Sequence, residues 1–233
     1  MNPKDIKAKR IDGNNNIRVI IAGRSSYCFV FSPTPDDNEK PDGSKSYKTA
    51  ILIPKDCPTE VKAILTQAVK DAIDLGIKTK WGGSRPAELD LPVKDGDKKA
   101  AENEEKYGAY KGNFHFTAKR QEDKGRPRLK AYGAPVDKAG VIESGDWCVF
   151  DIAFYPFNKK NKGIAASLNG VTLIKEGERF AGGPSADSID NEANDLYGDL
   201  LAKPMANDDA DDLLTGMTGG KKETEDDLMD LLK

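Results

Sequence analysis

The residues best suited to chemistry in this sequence are flat rings set among cations. Tyr107, Tyr110, Lys111, Phe114, Phe116, Lys119 and Arg120 run on into Lys124, Arg126, Arg128, Lys130 and Tyr132, and later Tyr155 and Phe157 run into Lys159, Lys160 and Lys162. Single-stranded nucleic acid offers a π-face at each base and one negative charge at each phosphate. A binder without sequence preference therefore needs rings spaced among cations on an open sheet face, each ring–base stack contributing about 1–3 kcal/mol. The competing account of any strand aromatic is core packing, and Phe29, Phe150 and Phe154 are assigned to it. The density of Lys and Arg on two neighbouring segments favours binding instead for Tyr110, Lys111, Phe114, Phe116, Arg126, Arg128, Lys130, Tyr155, Phe157, Lys159, Lys160 and Lys162.

Other chemistries fit the sequence less well. Pro35-Asp36 followed by Glu60-Val61-Lys62 matches the loose pattern of metal-dependent nucleases, which need carboxylates on adjoining strands around a metal. Here Asp36 is expected in a loop and Glu60 in the first turn of a helix. Gly219-Gly220-Lys221-Lys222 lacks the upstream glycine and the Ser or Thr of a phosphate loop. His115 alternates with Phe114 and Phe116 and has no nucleophile pattern nearby, so it reads as a sheet residue. Three widely spaced cysteines, Cys28, Cys57 and Cys148, with one histidine make no zinc site and read as buried free thiols. No catalytic residue, metal or cofactor is expected.

Charge divides the chain in two. From Pro184 onward there are 4 Lys and Arg against 14 Asp and Glu, which leaves 32 basic and 25 acidic residues in 1–183. Tyr197 is the one aromatic of that last stretch. A basic, ring-bearing body thus precedes an acidic tail, and the net charge of −3 hides the attraction the body exerts on polyanions. The tail is too poor in large apolar residues to offset its ordering entropy, so 184–233 is expected to be disordered. Within it Asp211-Asp212-Leu213-Leu214 and Asp226-Asp227-Leu228-Met229-Asp230-Leu231-Leu232 form a weak repeat, carboxylates followed by apolar residues, suited to docking on partner proteins. No run approaches 18 apolar residues, and Met1 to Lys9 lacks the apolar stretch of a secretory signal.

The elements that must position the rings are mostly strands. Asn16–Gly23 is β-branched, and Ser25–Phe31 alternates with Tyr27, Phe29 and Phe31 on one face and Cys28 and Val30 on the other. Ser32–Gly43 reads as a loop and Ser46–Ile53 as a third strand. From Pro58 to about Lys78 the period changes: Val61, Ile64, Leu65, Ala68, Val69 and Ala72 form one helical stripe, with Gly76 helping to end it. Gly82–Lys106 is a polar insertion without a clear pattern. Strands resume at Gly112–Ala118, Pro127–Tyr132, Asp146–Phe157 and Gly163–Lys175, the last two joined as a hairpin. Several strands, one helix after the third and no βαβ rhythm predict a small β-barrel of 1–183 followed by the tail.

The run Asp151-Ile-Ala-Phe-Tyr-Pro-Phe157, then Asn161-Lys-Gly-Ile-Ala-Ala-Ser-Leu-Asn-Gly-Val171 and Glu176-Gly-Glu178, resembles the single-stranded DNA-binding proteins of tailed phages. Gly125-Arg126-Pro127 and the strand at Phe114–Phe116 are similar to that family too, and the resemblance spans roughly residues 10–183. It implies an OB fold, non-enzymatic coating of single-stranded DNA in phage replication and recombination, and work in the cytoplasm of the infected bacterium. It implies that Tyr155 stacks on bases and that Lys159, Lys160 and Lys162 meet phosphates. It also implies that the acidic tail recruits replication proteins and competes with DNA. Single-stranded DNA is the expected partner, with duplex DNA held more weakly. A strand-annealing or duplex-tolerant protein, a metal-dependent nuclease, and a pure protein adaptor are the alternatives.

Overall fold

The computed structural model describes residues 1–11, 17–36 and 43–180. The acidic stretch, with its Asp-Leu repeats and Gly219-Gly220-Lys221-Lys222, lies outside the described residues. A short strand β1 (Ala8–Ile11) precedes a long β2 (Ile17–Pro35). Next come β3 (Lys45–Pro54), helix α1 (Thr59–Thr79), β4 (Lys94–Asp95) and short helices α2 (Gly96–Glu102) and α3 (Glu104–Tyr107). The chain continues through β5 (Asn113–Gln121), β6 (Arg128–Ala131), β7 (Ala134–Pro135), β8 (Trp147–Asn158) and β9 (Lys162–Lys175).

The two expected strands at 16–23 and 25–31 are one strand, because β2 bends rather than breaks. Its first half pairs antiparallel with β8, from Ile17 opposite Phe154 to Arg24 opposite Trp147. Its second half pairs with β3, with register slips on either side of Phe29. Such slips coil a strand and let it turn a barrel corner. The order β5–β3–β2–β8–β9 then closes on itself through a parallel pairing of Ala118 and Lys119 with Ala166 and Ser167. The result is a closed five-stranded OB-like barrel, mostly β with one main helix. That helix follows β3, at the place the sequence pattern gave it.

Inward residues fill the barrel: Val19, Ile21, Val30, Ile51, Ile53, Phe116, Phe150, Ile152, Phe154 and Leu168 are all buried. The rings of Phe116 and Phe154 meet at 5.8 Å. Helix α1 turns Val61, Leu65, Ala68, Ala72 and Ile73 against this core. Gly76 does not end the helix, which runs on to Thr79. The indole of Trp81 lies over it, and a Cβ at 76 would sit 2.6 Å from that ring.

A further expectation is corrected. Phe29, assigned to the core, is 41% exposed while Val30 beside it is fully buried. The 82–106 insertion is structured: Lys55 pairs with Asp95 (2.5 Å) and Asp97 (2.6 Å), pinning α2 to the end of β3. Tyr107 and Tyr110 then cover Ala50 and Leu52. Cys57 and Cys148 are buried and Cys28 is half-buried, burial pushing the Cys28 thiol up to about 12.

Candidate nucleic-acid interface

The strongest ring site grows out of the alternation of β8. Phe150, Ile152 and Phe154 point inward, so Asp151, Ala153, Tyr155 and Phe157 must point out. Tyr155 is 44% exposed. Opposite it across the hairpin stands Ala165, opposite Ala153 stands Ser167, and opposite Phe157 stands Gly163. These small neighbours leave part of the tyrosine ring uncovered. The Phe157 ring lies over Gly163, where a Cβ would meet its Cζ at 2.8 Å and would also strike the Asp90 carbonyl.

Barrel closure carries this face onward. Lys119 pairs with Ser167 on one side and with Lys48 on the other, and Lys48 stands opposite Phe29. One outward row therefore reads Ala153, Ser167, Lys119, Lys48, Phe29, with Tyr155 one step to the side. At the hairpin tip Lys159, Lys160 and Lys162 are exposed. The Trp81 indole N–H donates to the Phe157 carbonyl at 3.1 Å, and Asp90 exchanges backbone bonds with Lys162 and Ile164, which tethers the tip. A groove of about 710 Å³ separates Phe157, Ile164 and Ala165 of the hairpin from Lys94, Lys98 and Lys99 of the insertion. His115 and Thr117 also line it. His115 packs edge-on against Tyr110 at 4.9 Å, and burial, with Lys99 and Lys94 nearby, lowers its pKa.

Two carboxylates are built into the face. Asp151 accepts from Arg18 at 2.7 and 2.5 Å, from Arg128 at 2.9 Å and from Asn169 at 3.2 Å. Burial works to raise its pKa, but Arg18, Asn169 and Arg128 together hold it low. Asp36 accepts from Ser46 at 2.6 Å and from Lys119 and Gln121 at 3.2 Å. Burial opposes its ionisation, and these donors overcome that and hold it down to about 2. Asp36 adjoins the start of β3, whereas Glu60 follows its end. A strand of 10 residues, about 30 Å at ~3.3 Å per residue, separates the ends where these carboxylates lie, unlike the paired acids of a nuclease. Among the described residues no three His, Cys, Asp or Glu side chains group as metal ligands.

The structure thus gathers Tyr155, Phe157, Lys159, Lys160 and Lys162 on one side of the barrel. Arg128 and Lys130 point outward from β6, which pairs with β9. Arg126 is engaged by Asp137. Three expected ring contacts are corrected. Phe116 is 1% exposed and belongs to the core, and Tyr110 at 4% is covered by the insertion. Phe114 turns towards α1, where it lines an apolar groove with Leu65, Val69 and Ile73. Lys111 is exposed just before β5, at the end remote from Lys119. Pattern reasoning missed Tyr27, Phe29 and Lys48, and it placed Tyr107 among the rings without carrying it into the binding set. The Tyr27 and Tyr107 rings lie 6.2 Å apart, and Lys99 sits 4.4 Å over Tyr107. The signal for Tyr27 and Phe29 lies in their alternation against Val30, but the size of Phe29 favours the interior.

A closed five-stranded barrel with one ring-and-cation face is the architecture of the OB-fold class, whose members bind oligonucleotides and oligosaccharides. The family model described as "Enterobacter phage Enc34, ssDNA-binding protein" matches residues 17–201, and the chain belongs to that family. A relative named putative protein p50, from Acyrthosiphon pisum secondary endosymbiont phage 1, is 27% identical over 201 residues, covering 81% of this chain and 97% of its own. The single-stranded DNA-binding protein of bacteriophage Enc34, solved in complex with single-stranded DNA, superposes with a TM-score of 0.60. It is 21% identical, and the match covers 75% of this chain and 98% of that one. A second structure of the same phage protein gives 0.58 at 21% identity over 79% of this chain and 99% of that one.

Proposed function

We propose that this protein binds and protects single-stranded DNA during phage replication and recombination, without catalysis, in the cytoplasm of the infected host. The observation that carries the reading is the shared outward face of Tyr155, Phe157, Lys119 and Lys48, with three lysines at the adjoining hairpin tip, in a member of this family. Bases stack on the exposed rings and phosphates are neutralised by the lysines. Small residues at 153, 163, 165 and 167 keep the face open to a strand. Residues 1–183 form the DNA-binding domain. The acidic segment 184–233 competes with DNA for the cations and, through its Asp-Leu repeats, recruits replication proteins.

The test is anisotropy of fluorescein-labelled oligo-dT titrated at several salt concentrations. An extrinsic label is required because Trp81 and Trp147 are both buried. With about six phosphate contacts, log affinity should fall with log salt at a slope of about −4. Matched duplex should bind more weakly. Deleting 184–233 should tighten binding at low salt, since a tethered polyanion competes at high effective concentration. Equal affinity for single strand and duplex would favour a duplex-tolerant protein, and no binding by the truncated chain would refute the reading.

A further inference from the structure

Among the described residues two non-glycine residues have positive φ, Tyr27 at 48° and Tyr132 at 50°. Both leave a large ring in solvent, 37% exposed for Tyr27 and 66% for Tyr132. A left-handed backbone disfavours any residue with a Cβ, and turns of this kind ordinarily take Gly or Asn. An exposed ring also forgoes the gain of burial. Each tyrosine thus bears two separate costs that a glycine in the same turn would avoid, and such strain collects where a side chain is used. Tyr27 lies against Tyr107, beside the face described above. Tyr132 does not.

Tyr132 sits between β6 and β7, its N–H donating to the Leu173 carbonyl at 3.0 Å. Leading to it, β6 turns Leu129 and Ala131 inward and leaves Arg128 and Lys130 exposed. Arg128 pairs with Gly170 and Lys130 with Thr172, and across β9 from Gly170 stands Asp151. A Cβ at Gly170 would lie 3.5 Å from the Arg128 Cβ and 3.8 Å from the Asp151 Cβ, so glycine keeps the floor low between them. Asp151 is shared by Arg18 and Arg128, two cations on one carboxylate. This stretch of the outer face therefore keeps positive charge. It runs along β8 and β9 from Tyr155 towards Tyr132.

We propose that Tyr132 is a second stacking station for single-stranded DNA, linked to Tyr155 by the cations Arg18, Arg128 and Lys130. The proposal rests on the reading that the barrel binds single strands, and adds what sets the length of its site. Tyr155 lies opposite Ala165 and Tyr132 beside Leu173, eight residues apart on β9, about 26 Å at ~3.3 Å per residue. At ~3.4 Å per stacked nucleotide that span holds about eight, and fewer in a stretched strand. A short oligonucleotide reaches one ring and a longer one reaches both.

The experiment is a length series, dT4 to dT20, competed against labelled dT20 on the full chain and on Tyr132→Gly. Glycine keeps the left-handed turn, so the variant's thermal midpoint should be equal or higher. Its affinity should match the parent for dT4 and fall about 5- to 150-fold for dT16 and longer, the range of one lost stack. Tyr132→Phe, which keeps the ring, should bind all lengths as the parent does. Unchanged affinity of Tyr132→Gly at every length would overturn the proposal and point to a protein partner for this tyrosine. A loss equal at all lengths would overturn it as well. If the parent chain itself fails to bind dT20 at low salt, the single-strand reading falls, and this inference with it.

Discussion

Replacing Tyr155 by Ala separates binding from stability. The ring is 44% exposed and flanked by Ala153 and Ala165, so roughly half of it already rests on the sheet. Fully burying a large apolar side chain contributes about 1.5–3 kcal/mol, so losing a half-buried ring should cost the fold about 1 kcal/mol. A base stacked on its free face contributes about 1–3 kcal/mol, and at about 1.4 kcal/mol per factor of ten the variant should bind oligo-dT roughly 5- to 150-fold more weakly. Its salt slope should stay that of the parent, since no charge has been removed. The preceding residue gives the contrast. Phe154 is 1% exposed and packs on Phe116, so Phe154→Ala should lose about 3–5 kcal/mol of stability while the folded fraction keeps its affinity. Guanidinium melts and anisotropy titrations on both variants make the comparison. Parent-like binding by Tyr155→Ala would refute the stacking assignment. So would a loss of affinity that tracks a loss of folded protein.

Removing charge should act through the slope instead. Mutating Lys159, Lys160 and Lys162 together to Ala should flatten the log–log salt dependence by about 2 if all three meet phosphates, at ~0.7 per contact, and an unchanged slope would take the hairpin tip out of the site. Asp36→Asn should tighten binding at low salt, because it removes a negative charge beside Lys119 and Lys48. The same carboxylate leaves an acid signature: its folded pKa is about 2, below the free value near ~3.9. Its stabilising effect is therefore complete above pH ~4 and lost as pH falls through about 2, and melts of parent and variant from neutral pH to acid should converge at the low end. Gly163→Val should weaken both DNA binding and the hairpin, since its branched side chain would displace the Phe157 ring and press on the Asp90 carbonyl. A crystal structure of that variant with Phe157 unmoved would contradict this packing.

What could be read from the sequence, and what could not, follows from how far each rule reaches along the chain. Periodicity is local, so the α1 stripe and the inward set Phe150, Ile152 and Phe154 emerged directly, and with them the outward place of Tyr155. The choice of face is not local when both faces carry large residues. In β2 the alternation of Tyr27, Phe29 and Phe31 against Cys28 and Val30 is plain, yet hydrophobic size favours Phe29 for the interior. The bulged register around Phe29 and the pairing of Phe29 with Lys48 decided the opposite. Phe116 goes the opposite way: basic neighbours in sequence suggest a binding ring, but it shares its inward face with Ala118, and Lys119 points away. Tyr110 needed the insertion, whose α2 is anchored through Lys55 some 40 positions upstream of its partners, a pairing that no window of sequence contains. The row of Phe29, Lys48, Lys119 and Ser167 likewise exists only once the parallel contact of β5 with β9 closes the barrel. A binding face assembled across four strands is therefore a property of register, and register is fixed by the very inward packing that makes the neighbouring rings unavailable.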